Sequence, residues 1–118
     1  MAITVNSPDV STYGWIKNAN SADLQGCEEI FATPGATSWF EIRMVTISSD
    51  AAIGITLGSN KNVAAVETAL LGPVTFAAGQ CIIWNFNPPL KMAANKAITA
   101  DADGAGNVNI FIQGVTRS

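Results

Sequence analysis

The stretch Asp101-Ala-Asp103-Gly104 is where residue type and spacing first suggest chemistry, because two carboxylates one residue apart ahead of a glycine can open a calcium loop. The third acidic ligand and the closing glutamate of an EF-hand are missing. The expectation is a hairpin loop that uses Asp and Gly for turn geometry. Gly104 and Gly106 follow no helix-opening strand and form no G-x-G-x-x-G, which removes a phosphate cradle. Glu28 and Glu29 are adjacent, and on a strand they would face opposite sides, so they cannot act as an acid/base pair. Each is expected to be solvated at a sheet edge. Serines are plentiful, but a nucleophilic serine needs a base, and the chain has neither histidine nor Ser-x-x-Lys. Cys27 and Cys81 lie far apart without C-x-x-C spacing, so a redox or zinc site has no support. Reduced, buried thiols are expected, with a disulfide only if the fold brings the two together. No enzyme is expected, with no catalytic residue, no metal and no cofactor.

Tyr13, Trp15, Trp39, Trp84 and Phe86 are the remaining candidates. Large aromatics of this kind pack in a core, anchor a protein interface, or form a platform on which sugar rings stack. Core or half-buried packing and an interface are the leading readings, and the five residues stand as candidate interface residues.

These groups sit in a chain of 118 residues with nine acids, six bases and a net charge of −3. Charged residues make up 13%, about half the usual share of a soluble domain. The bases Lys17, Arg43, Lys61, Lys91, Lys96 and Arg117 are scattered. They form no stripe for displacing counterions from nucleic acid and no basic amphipathic face for an anionic membrane. The length allows one domain and excludes a second catalytic one. The start, Met1 to Pro8, has no basic opening and no apolar run of signal-peptide length, so a free-standing protein without an export signal is expected. Thr68–Leu90 carries no charge and is long enough to cross a bilayer, but it contains Gly72-Pro73, Asn85, Asn87 and Pro88-Pro89. It is expected to form two buried strands with a turn between them.

The elements that would position these residues read as strands. Residues 1–12 suggest an extended arm or a loosely packed first strand. Tyr13–Lys17 suggests a brief strand before a loop over Asn18–Asp23, and Cys27–Ala32 is a short run stopped by Thr33-Pro34-Gly35. In Trp39–Ile47, Phe40, Ile42 and Met44 alternate with Glu41 and Arg43, after which Val45 and Ile47 take over the apolar positions. Such a phase switch predicts a bulge or a crossing between sheets. Ser48–Asp50 reads as a turn. Ile53, Ile55 and Leu57 alternate with Gly54, Thr56 and Gly58, leaving an outward face so bare that another backbone or subunit could approach. Ser59–Asn62 reads as a loop, and one helical turn from Val63 with Asn62 as its cap competes with extended structure. Pro73–Ala77 and Cys81–Phe86 suggest a hairpin ended by Pro88-Pro89. The last strand is Asn107–Gln113, with Val108, Ile110 and Ile112 on one face. About eight strands near ten-residue spacing, with no long helix, predict an all-β sandwich or barrel.

The order of the second half carries a resemblance. Ala52–Leu57 leads to Leu71-Gly-Pro-Val-Thr-Phe-Ala-Ala-Gly-Gln80, then Cys81–Pro88, Met92–Thr99 and a closing strand Val108–Ile112. Over residues 38–116 this resembles the small single-jelly-roll proteins of tailed-phage virions, most of all trimeric capsid decoration (cement) proteins. The resemblance implies a single antiparallel jelly-roll sandwich of about eight strands over 13–118, preceded by an N-terminal arm, 1–12. It implies a homotrimer on the outer face of a phage capsid, in contact with the major capsid protein and assembled in the host cytoplasm, with no nucleic-acid or membrane partner. The polar arm would meet the shell. The alternative is a jelly-roll module of a tail fibre or spike that grips a receptor or host glycans through exposed aromatics. A small β-domain hydrolase is disfavoured by the missing histidine. Charge is absent from Ala52–Asn60, Thr68–Leu90 and Gly104–Thr116, and bareness confined to strands points to surfaces covered by assembly.

Overall fold

A computed structural model describes residues 3–6 and 14–118 of the chain. Nine strands are described: β1 (Thr4–Asn6), β2 (Trp15–Ser21), β3 (Glu28–Phe31), β4 (Trp39–Ser49), β5 (Gly54–Asn62), β6 (Ala65–Thr75), β7 (Gln80–Lys91), β8 (Ile98–Ala102) and β9 (Val108–Arg117). One sheet has the order β1-β2-β9-β4-β7 and the other β3-β8-β5-β6. All pairings are antiparallel. β2 pairs with β9, β3 with β8, β4 with β7 and β5 with β6. One long antiparallel ribbon is thus rolled so that successive rungs fall in alternate sheets, and the β4–β9 and β5–β8 ladders close the roll. That connectivity is a jelly roll.

Period-2 alternation supplies the core. Ile55 and Leu57 of β5, Val108, Ile110 and Ile112 of β9, and Ile98 and Ala100 of β8 point inward and are buried. Fully burying an aliphatic side chain of this size is worth about 1.5–3 kcal/mol. The phase switch in β4 is a bulge. The register with both neighbours shifts between Ile42 and Met44, so Phe40 and Ile42 are buried before it and Val45 and Ile47 after it. Met44 consequently lies on the outer face.

Several expectations are corrected. The segment expected to loop from Asn18 continues as β2 to Ser21, because pairing with β1 and β9 outweighs the weak strand propensity of Asn and Ser. Ser48 and Ser49 belong to β4, and Ser59–Asn62 to β5. No helix starts at Val63. Asn62 pairs with Ala65 across a two-residue turn, with Val63 at a φ of 58° and 88% exposed at its tip. β6 and β7 form no hairpin, because the turn between them crosses from one sheet to the other. Pro88-Pro89 does not end β7, which runs on to Lys91. Nor are β6 and β7 buried: each is the last strand of its sheet, with an alternating half-buried and exposed pattern. Of the arm, Thr4–Asn6 pairs with β2 as an edge strand; residues 1, 2 and 7–12 lie outside the described part.

Candidate functional site

The aromatic candidates do not converge. Tyr13 lies outside the described residues. Trp15 is half-buried and meets Phe31 edge-on at 4.9 Å and Phe40 at 5.5 Å, so it closes one end of the core. Its Nε1 is shielded from water without a hydrogen-bond partner among the described residues. Trp39 stands at the start of β4, where its Nε1 donates to Glu41 Oε2 at 3.1 Å and the Lys91 ammonium lies 4.8 Å from its ring centroid. Arg117 Nε donates to the other carboxylate oxygen at 3.3 Å. The Trp39 hydrogen bond first, and Arg117 second, hold the Glu41 carboxyl below its usual pKa. Trp84 and Phe86 occupy the inner face of β7, half-buried against the core.

Other candidates take structural places. Asp103 Oδ1 accepts the Gly54 NH at 2.7 Å, which ties the β8–β9 loop to the start of β5. The bare outward face of β5 is filled from within the chain: the Asp103 carboxylate covers Gly54, and the Val66 side chain covers Gly58. Cys27 is buried and Cys81 exposed, both as free thiols, so the expectation that both are buried is corrected for Cys81. Burial raises the Cys27 pKa, which keeps it a neutral thiol.

Two surfaces remain whose make-up the sequence showed only in part. The first is the open side of the sandwich, where β6 and β7 end their sheets. Leu70, Leu71 and Val74 of β6, with Ile82, Trp84 and Phe86 of β7, pack on the core yet stay partly exposed. Thr68–Leu90, which spans most of both strands, has no charge. Exposed sheet edges are usually guarded by charged side chains, bulges or proline. Here the guards are bulges against β5 and the prolines at 73, 88 and 89.

The second surface is the outer face of the five-stranded sheet. Cross-strand register sets three rows there. Thr4, Asn20, Asn109, Ser48 and Cys81 form the first. Asn6, Asn18, Phe111, Thr46 and Ile83 form the second, and Ile16, Gln113, Met44 and Asn85 the third. None of these side chains is charged. Beside the first row, where β4 ends and β9 begins, lies a groove of about 330 Å³ lined by Asn20, Ser48, Asp50, Gly79, Asn107 and Asn109 among others.

No protein-family model matches the chain, and no match was found among curated proteins or solved structures.

The surfaces themselves therefore carry what can be said of function, since a jelly roll hosts many activities. Among the described residues, no group of three or more Cys, Asp or Glu side chains is placed to hold a metal ion. Both surfaces are suited to contact: one apolar and edged by the last strands of the two sheets, the other amide-rich with the Asp50 carboxylate at its end. Of the sequence signals, the missing charge in Thr68–Leu90 and the candidates Trp84 and Phe86 pointed toward the first, and the missing charge in Gly104–Thr116 toward the second.

Proposed function

We propose that this protein is a non-enzymatic virion structural protein, a capsid decoration (cement) protein that binds the outer face of a phage capsid as a homotrimer and stabilises it. The observation that carries this reading is the open β6–β7 side of the sandwich. Half-exposed Trp84, Phe86, Leu70 and Leu71 lie there between two long uncharged edge strands. Interface cores are depleted of charge and enriched in aromatics, and unpaired strand edges supply backbone donors and acceptors for a neighbouring chain. The jelly roll and the order of its second half, which resemble those of phage decoration proteins, give the reading its specific form. A stiff β-domain with an interacting side needs no catalytic group for this task.

The deciding experiment is to locate the protein in purified virions by cryo-electron microscopy and to measure its copy number against the major capsid protein. Copies at the three-fold positions of the shell, in numbers on the scale of the shell protein, support the proposal. A few copies confined to the tail, or none in the particle, overturn it.

A further inference from the structure

We propose that the groove on the outer face of the five-stranded sheet is a binding site for a neutral saccharide. At about 330 Å³ it falls within the usual range of small-ligand sites, about 300–1,000 Å³. Its position is fixed by register: Asn109 of β9 sits directly between Asn20 of β2 and Ser48 of β4. No hydrogen bond joins the side chains of these three residues to another described residue. Each presents donor and acceptor capacity on one rigid sheet. Sugar hydroxyls also donate and accept, so a row of amides and a hydroxyl can pair with vicinal hydroxyls without leaving either side unsatisfied.

The rim is held in place. Asn107 donates through its main-chain NH and through Nδ2 to the two carboxylate oxygens of Asp50, at 2.7 and 2.8 Å. A carboxylate only accepts, so the Asn107 nitrogen faces Asp50 and its Oδ1 is left as an acceptor. Both Asp50 carboxylate oxygens thereby accept amide protons already in the protein. Phe111 and Ile83, in the adjoining row on either side of Thr46, give apolar surface beside the groove against which the C–H face of a sugar ring can lie.

Other occupants fit less well. No lysine or arginine lines the groove to receive a phosphate or an acidic sugar. Its floor is the face of a sheet whose backbone groups are consumed by the β2–β9–β4–β7 ladders, so a peptide cannot add as a strand there. The site lies on the outer sheet face and reaches the β6–β7 turn at Gly79, and its test does not depend on where the protein sits in a virion.

The test uses the purified full-length chain on an array of neutral and anionic glycans, followed by titration with the best neutral oligosaccharide. Binding to at least one neutral glycan is expected. Asn109→Ala and Asn20→Ala should each weaken it by about tenfold, the loss of one or two neutral hydrogen bonds. Asn85→Ala, two rows away on the same face, should leave it unchanged. Asn20, Asn109 and Asn85 are all exposed, and thermal unfolding of each variant checks that the fold persists. Binding to no glycan, binding to anionic glycans alone, or neutral binding indifferent to Asn20→Ala and Asn109→Ala would overturn the proposal.

Discussion

Asp50 and Asn107 hold each other through three hydrogen bonds: the Asn107 NH and Nδ2 donate to the Asp50 carboxylate, and the Asp50 NH donates to the Asn107 carbonyl at 3.0 Å. This reciprocal clamp joins the end of β4 to the start of β9, strands whose ladder forms the middle of the larger sheet. It also sets the rim of the amide-lined groove.

Asp50→Ala removes both side-chain bonds at once. The site is exposed, so water replaces part of what is lost, and a destabilisation of about 1 kcal/mol is expected. Asp50→Asn retains one acceptor but turns a second donor toward Asn107 Nδ2, so it should recover only part of the difference. Urea unfolding monitored by tryptophan fluorescence gives the comparison; equal stability of Asp50→Ala and the parent would show that the clamp is decorative.

Glu41 makes the stability pH-dependent in one direction. Its folded pKa lies below the ordinary value because Trp39 Nε1, and then Arg117, bind the charged form. A depressed folded pKa means that its stabilisation is complete above the unfolded pKa, about 4.3, and is lost as pH falls through the folded value. Glu41→Gln should therefore lower Tm near neutral pH, with the gap to the parent closing as pH falls below about 4. Parallel thermal melts across that range test the sign. A gap that widens on acidification contradicts the assignment.

Gly58 is a matter of space. A Cβ at this position would collide with Cβ, Cγ1 and Cγ2 of Val66 on the adjoining strand. Gly58→Ala should cost about 1–3 kcal/mol through overpacking. Combining it with Val66→Gly, which removes all three colliding carbons, should restore part of that loss. Strict additivity in the double-mutant cycle would mean that the collision relaxes elsewhere.

Legibility in the sequence followed the range of the interactions. The β4 bulge was readable because a two-residue period that slips by one must break somewhere, and it breaks between Ile42 and Met44. β5 and β9 were readable because their inward residues form an unbroken apolar alternation, although Phe111 on the outer side of β9 is apolar too. β6 and β7 misled because the turn residues Ala78-Gly79 look the same whether they close a hairpin or carry the chain across to the other sheet. Only the distant partners β5 and β4 decide between these. The groove was invisible for the same reason. Asn20, Ser48 and Asn109 are unremarkable one by one and become a site only through cross-strand register.

The uncharged β6–β7 side gives the sharpest test of assembly, because it can be altered without touching the core. Ala69 and Asn85 are exposed and lie on the two edge strands. Lysines on sheet edges keep chains apart, since pairing would bury a charge beside an apolar partner. Ala69→Lys with Asn85→Lys should therefore leave the Tm of the monomeric fold within a few degrees of the parent, as surface substitutions do, at about 0.5 kcal/mol or less. The same pair should shift the oligomer measured by analytical ultracentrifugation to monomer. If the parent sediments as a trimer and the double variant does too, the copies meet through another surface. If the parent is itself a highly soluble monomer, the open side is not a contact between copies, and the homotrimer reading fails with it.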